Sequence, residues 1–304
     1  MTPVRRVALL ANPAAGHGRA PRLAAAARDR FAELGIETHD LLPGSAAQAR
    51  ALAEQAVADG VDALVVVGGD GMLHLALAAV VGSSTHLGAI PAGTGNDQAR
   101  AHGWPRKSVA EAVEVIAAGH TRRIDVGTIE TADGNRTLFG SVLAAGFDSL
   151  VSDRTNRMTW PHGRARYNLA ILAEFVNLRP LPMRVTFDDG TVVDDDLLLV
   201  AVGNTSTYGG GMRICPDADP TDGLLDVTIG RAASRRKVLR QLPAVYRGTH
   251  VDRPEVQTFR TRSLAIEAEG INAYADGEYI GPLPARVGLM PGALTVLVPA
   301  AGSR

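Results

Sequence analysis

The sequence predicts an α/β domain, with a parallel sheet and helices on both faces, followed by a β-rich, sandwich-like domain. Up to Arg123, short apolar runs alternate with helical segments of about 10–15 residues, the rhythm of βαβ units. Beyond Arg123 the helical segments thin out, and short strand-like runs separated by turn residues take over. A third observation locates the chemistry. Three glycine-bearing turns follow the ends of strands in the first half, and ligands of open α/β sheets gather beyond those C-terminal ends.

In chain order, residues 7–10 read as a buried strand, ended by the Asn12-Pro13 turn that continues through Ala14, Ala15 and Gly16. A helix is expected over 21–34, a strand over 36–42 and a helix over 46–59, stopped by Gly60. The third strand, 63–67, leads through Gly68-Gly69-Asp70-Gly71 into a helix over 73–81. The fourth, 87–90, leads through Pro91, Gly93, Thr94, Gly95, Asn96 and Asp97 into a short helix reaching 101. A helix over 109–118 closes the first domain, 1–123, with a linker near 119–125. The second domain, 124–290, has strand-like runs at 124–131, 137–144, 183–187, 196–202, 225–229, 263–268 and 285–289. Asp188-Asp189-Gly190 marks a hairpin turn, residues 235–246 form a basic helix, and 293–298 is a final strand.

Composition narrows the class. The 304 residues are 46% hydrophobic and 21% charged, enough for two soluble domains. The net charge of −1 gives no global attraction to nucleic acid or to an anionic membrane. One cysteine, Cys215, allows no internal disulfide and suits a reducing cytoplasm. No run of about 20 apolar residues is present to span a bilayer. No secretion signal is read at the N-terminus, because the apolar run after Arg5-Arg6 is short and ends in Asn12-Pro13.

Each glycine turn exposes backbone N–H groups, and before a helix such a turn is an anion site. Gly68, Gly69, Gly71 and Gly93 read as clearing room for a phosphate. Asp70 and Asp97 repel phosphate, so beside a nucleotide they serve as Mg2+ ligands, hydroxyl partners or structural acceptors. The spacing matches neither the Walker loop nor the dinucleotide fingerprint.

The ordered set Asn12-Pro13…Gly16, Gly68-Gly69-Asp70-Gly71, Pro91…Gly93-Thr94-Gly95-Asn96-Asp97 and Asp276-Gly277-Glu278 resembles the diacylglycerol kinase catalytic family. The likeness is to its soluble bacterial lipid kinases, relatives of sphingosine and ceramide kinases. Two positions depart from the pattern: Met72 stands where the family has threonine, and His74 where it has asparagine. The resemblance implies an ATP- and Mg2+-dependent kinase with diacylglycerol as the foremost acceptor. A sphingoid, ceramide or other hydrophobic alcohol, or a nucleotide-binding regulator without turnover, are the alternatives. It assigns Glu278 as general base and Asp276 as its partner or metal organiser, with Asp70 in the nucleotide–Mg2+ arrangement. It also implies that Asn12 to Gly16, Thr94 and Asn96 join the nucleotide cradle, that Asp219, Asp222 and Leu224 hold a structural Mg2+, and that a tail, 291–304, returns to the first domain. NAD kinases share the Gly-Gly-Asp-Gly turn, but the β-rich half with Asp276-Gly277-Glu278 fits them less well.

The expected partner is a lipid at the inner face of the membrane, met from the cytoplasm by peripheral contact, with a homodimer left open. The apolar helix over 167–176 reads as one that packs in a core; the sharper alternative is that it forms, with Arg154, Arg157, Arg164, Arg166 and Trp160, one wall of a lipid pocket opening at the membrane.

Overall fold

The computed structural model describes residues 3–12, 18–158, 160, 173 and 178–300. The chain forms two compact units, residues 1–126 with 291–304, and residues 127–290.

The first unit is built on four parallel strands, β1 (Arg6–Ala11), β2 (Glu37–Leu41), β3 (Ala63–Gly68) and β4 (His86–Pro91), in the order β2-β1-β3-β4. All six residues of β3 are buried, as a strand covered on both faces must be. Val7, Leu9, Val65 and Val67 face the apolar stripes of α1 (Ala20–Glu33) and α5 (Val109–Ala117). The intervening Ala8, Leu10, Leu64 and Val66 are equally buried, while α2 (Ala46–Ala58) packs with α3 (Asp70–Val80). Ser45 and Ser108 cap α2 and α5 by accepting from the N–H of Gln48 and Glu111. The tail returns here: Val296 pairs with Leu87 in parallel, and the Trp104 Nε1–H donates to the Leu297 carbonyl at 2.5 Å.

The second unit contains β6 (Arg136–Phe139), β7 (Val142–Gly146), α6 (Phe147–Arg157), β8 (Leu181–Phe187), β9 (Val192–Gly203) and β10 (Leu225–Arg231). Next come α7 (Arg235–Arg247), β11 (Val256–Thr261), β12 (Leu264–Glu267), β13 (Asn272–Ala275) and β14 (Glu278–Pro282). β5 (Thr121–Thr131) and β15 (Ala285–Leu297) each contribute residues to both units. The long β9 changes partner along its length. Residues up to Leu197 pair with β8, and those from Leu199 lie between β7 and β10. The two layers close over Phe139, Leu143, Val185, Val200, Val227 and Ile266.

Elements α6, β11, β13 and β14 were not expected from the sequence, and three further differences have a visible cause or consequence. The strand expected over 137–144 is two strands, because the N–H groups of Gly140 and Ser141 turn aside to the Asp276 carboxylate. The runs 285–289 and 293–298 form one strand, β15, although Pro291 and Gly292 lie inside it. Residues expected as a linker near 119–125 include the start of β5, where Asp125 accepts from the Gly292 N–H at 2.6 Å and Arg123 donates to the Gly292 carbonyl. The hairpin at Asp188-Asp189-Gly190 joins β8 to β9 as expected.

The short helix α4 (Asp97–His102) ends in a buried imidazole, edge-on to Trp104 and 3.5 Å from the Arg122 Nη2. Burial, reinforced by the Arg122 charge, pushes His102 down from 6.5 to about 3. The folded chain therefore stays unprotonated there while the unfolded chain takes up a proton below its ordinary value. The stabilising contribution is complete above pH 6.5 and is lost on acidification towards pH 3, at about 1.4 kcal/mol per pH unit. Denaturant melts between pH 7 and 4 should show the first unit losing stability, with a slope that His102→Asn flattens. Equal slopes in both proteins would contradict this assignment.

Candidate active site

In the first unit the site is a contact between two turns. β3 ends at Gly68, and Gly69 begins α3 in an extended conformation with no side-chain cap. The helix N-terminus is thus uncapped by side chain and carries a fractional positive charge. Alongside, the Ala92 N–H donates to the Gly68 carbonyl at 2.7 Å, drawing in the turn that follows β4. A Cβ on Gly93 would sit 2.6 Å from the Gly69 Cα and 2.9 Å from Asn96 Oδ1, and one on Gly69 would sit 3.0 Å from the Gly93 Cα. Backbone lies on backbone here, so Gly93 has no space for a side chain and Gly69 has little. The sequence reading gave these glycines a different task, clearing room for a phosphate; the packing of the two turns is a constraint that reading did not contain.

Asn96 holds the second turn. It adopts a left-handed φ of 54°, and its amide brackets Gly93, accepting from the N–H at 3.1 Å and donating to the carbonyl at 2.8 Å. Asp70, in the first turn of α3, accepts the Gln98 N–H at 3.0 Å through Oδ1, which fixes the carboxylate's direction. Asp97 is buried and accepts from Arg100 Nη1 at 2.9 Å, and the same nitrogen donates to the Gly95 carbonyl at 2.7 Å. Gly71 lies in the first turn of α3, Asn12 directly follows β1, and Thr94 is exposed. Met72 is buried, with its Cβ over Gly68 where the family pattern has a hydroxyl residue. Pro13, Ala14, Ala15 and Gly16 lie outside the described residues.

Two clefts border the second turn. One, of about 630 Å³, is lined by Thr94, Asn96, Arg100, Trp104, Arg106 and Lys107 among others. The other, about 180 Å³, shares Asn96, Arg106 and Lys107 and adds Arg19 and Gly93. Arg106 and Lys107 were missed at the sequence level. The signal available was an Arg-Lys pair just beyond the glycine turn, in a chain with only one other lysine, Lys237.

In the second unit Asp276 and Gly277 are the central residues of a two-residue turn joining β13 to β14, with φ of 54° and 86°. Positive φ at both is the hairpin geometry that Asp-Gly favours. The Asp276 carboxylate is buried and accepts from the Gly140 N–H at 2.9 Å, the Ser141 N–H at 2.7 Å and the Ser141 Oγ–H at 2.7 Å. Glu278 begins β14 and is exposed. A second carboxylate braces the same hairpin: Asp153 of α6 accepts from Tyr274 Oη at 2.6 Å and from Asn272 Nδ2 at 3.0 Å. Ser141 and Asp153 had no sequence signal beyond their residue type, because their partners lie more than a hundred residues away.

The acidic loop is organised by its own hydrogen bonds. Asp219 accepts from Thr221, and Asp222 accepts from the Leu224 N–H while its other oxygen pairs with Arg260. Among the described residues no group of three or more His, Cys, Asp or Glu side chains is arranged to hold a metal. The Arg260 guanidinium faces the Asp222 oxygen that does not accept from Leu224. Of the expected lipid-pocket residues, Trp160 is 73% exposed, whereas Arg164, Arg166 and most of 167–176 lie outside the described residues.

Comparison with known proteins now defines the class. Residues 6–129 match the diacylglycerol kinase catalytic domain, and residues 141–298 match the YegS C-terminal NAD kinase beta sandwich-like domain. That second description places the β-rich half close to NAD kinases, so the sandwich does not separate the two families as the sequence reading supposed. A diacylglycerol kinase of Mycobacterium tuberculosis (strain CDC 1551 / Oshkosh) is 47% identical over 98% of this chain and 97% of its own. One from Bacillus subtilis (strain 168) is 28% identical, covering 92% of each chain. A solved structure of a candidate diacylglycerol kinase from Bacillus anthracis str. Sterne superposes with a TM-score of 0.83 at 25% identity, covering 99% of this chain and 97% of the other. The protein is a kinase with an α/β catalytic domain and a sandwich-like second domain. It belongs to the diacylglycerol kinase family.

The Asp276 clasp yields a stability test. Asp276→Ala strands the Gly140 and Ser141 donors inside the unit, which costs about 1–3 kcal/mol. Urea denaturation should report a loss of that size. A solvated hairpin tip, which Asp-Gly equally describes, would instead leave the midpoint unchanged.

Proposed function

We propose that this enzyme transfers the γ-phosphoryl group of ATP to the free hydroxyl of diacylglycerol, giving phosphatidic acid and ADP. The observation that carries the reading is the uncapped start of α3, packed against the Gly93 turn and bordered by clefts carrying Arg100, Arg106 and Lys107. N–H groups, a helix dipole and guanidinium and ammonium side chains suit a polyphosphate. The residues also fit a divalent cation accompanying it, since Asp70 presents a directed carboxylate at the same helix start. Mg2+ bound with the nucleotide would neutralise charge on the phosphate oxygens.

The chain's own contribution is positioning. Backbone N–H groups of the first turn hold the phosphates, and the basic pair Arg106-Lys107 balances their charge. The acceptor oxygen forms a bond to the γ-phosphorus as the bond to the β–γ bridging oxygen breaks, and ADP departs. The hydroxyl proton passes to the Glu278 carboxylate, late in a loose transition state. Asp276 is bound to Gly140 and Ser141, so its part is to fix the turn that presents Glu278. The names of the relatives favour diacylglycerol over a sphingoid or ceramide acceptor. No described helix is long and apolar enough to cross a membrane, so such an acceptor would be met at the bilayer surface.

Glu278→Gln keeps size and removes basicity. It should lower kcat by about 10²–10⁴-fold while leaving the nucleotide dissociation constant unchanged. Steady-state turnover on a lipid panel, with products identified by mass, measures both the base and the acceptor. Undiminished kcat would remove Glu278 from the chemistry, and turnover confined to another alcohol would replace diacylglycerol.

A further inference from the structure

Helix α7 of the second unit carries its apolar stripe on the outside. Leu239, Leu242 and Tyr246 stand at i, i+3 and i+7, hence on one helix face, and are 55%, 39% and 54% exposed. An amphipathic helix ordinarily turns such a stripe to the core. Here the inward side is made instead by the buried Ala244, by Val245 against the Ile214–Cys215 cluster, and by Lys237 and Gln241 bound to Glu255.

The charges are equally out of keeping with helix stability. The 13 residues of α7 include Arg235, Arg236, Lys237, Arg240 and Arg247 and no acidic side chain. Three of these cations occupy the first turn, where the helix dipole disfavours positive charge. Lys237 is paired with Glu255. Arg235, Arg236, Arg240 and Arg247 are exposed and form no ion pair among the described residues. Arg236, Arg240 and Arg247 run along one side of the apolar stripe.

We propose that α7 is a membrane-docking helix that lies in the surface of a bilayer containing anionic lipid. Leucine and tyrosine side chains at the headgroup–acyl boundary, with arginines reaching lipid phosphates, match an interfacial helix. Charge complementarity selects this occupant. The chain as a whole carries a net charge of −1, so its attraction to an anionic surface is local to such a patch. The proposed lipid acceptor gives this contact its purpose, but none of its evidence.

The test is co-sedimentation of the full chain, without nucleotide, with vesicles of phosphatidylcholine alone or mixed with phosphatidylglycerol. Wild type should bind the mixed vesicles, weakly the neutral ones, and less as salt rises. Arg236→Gln/Arg240→Gln/Arg247→Gln should bind the mixed vesicles about 100-fold more weakly, about fivefold per arginine. Leu239→Ala/Leu242→Ala/Tyr246→Ala should also lose binding, and because all six side chains are exposed both variants should melt as wild type does. Wild-type binding by either variant would overturn the proposal. So would a vesicle-free dimer that the apolar variant converts to monomer, which would give the face to a second copy of the chain. Because no turnover is read, failure of the kinase reading leaves this result standing, and the reverse.

Discussion

Two backbones touching at Gly69 and Gly93 set the geometry on which the first unit's site depends. β3 and β4 run parallel with Gly68 opposite Pro91, so the turns beyond them leave the same end of the sheet one strand spacing apart, about 4.8 Å. Beyond the strands the turns approach more closely: a Cβ on Gly93 would fall 2.6 Å from the Gly69 Cα, and one on Gly69 3.0 Å from the Gly93 Cα. The contact brings the uncapped start of α3 beside the loop that carries Arg106 and Lys107. Asn96 secures it: a left-handed non-glycine residue costs about 1–2 kcal/mol, and its two hydrogen bonds to Gly93 offset that cost. The Asp97–Arg100–Gly95 linkage fixes the far side of the same turn.

The second unit solves a different problem with the same device of a constrained turn. Its Asp-Gly hairpin is held from both sides by carboxylates, Asp276 on residues 140–141 and Asp153 on Asn272 and Tyr274. What sequence alone presents as a catalytic pair, Asp276 and Glu278, is divided in the structure between a buried anchor and an exposed acid. A buried carboxylate tied to Gly140 and Ser141 is well suited to holding its neighbour still.

The alternation of strands and helices was legible because both faces of the first unit's sheet are covered, so periodicity and burial coincide. The glycine turns were legible as positions, but the contact between them was not: Gly69 and Gly93 are 24 residues apart, and only strand register brings them together. The break at residues 140–141 was invisible because its cause, Asp276, lies 135 residues away. Helix α7 was readable as basic, yet its outward apolar stripe was not, since an amphipathic pattern carries no statement of which side meets the core. Arg106 and Lys107 were passed over because a basic pair in a loop has no meaning until the loop borders a cleft.

The central claim, that glycine on glycine builds the nucleotide cradle, is tested most directly by titrating ATP into Gly93→Ala in a calorimeter. The added methyl must push the two turns apart, so ATP binding should be lost while the second unit keeps its wild-type melting behaviour. A folded Gly93→Ala protein that binds ATP with unchanged affinity would contradict the account and move the nucleotide away from these turns.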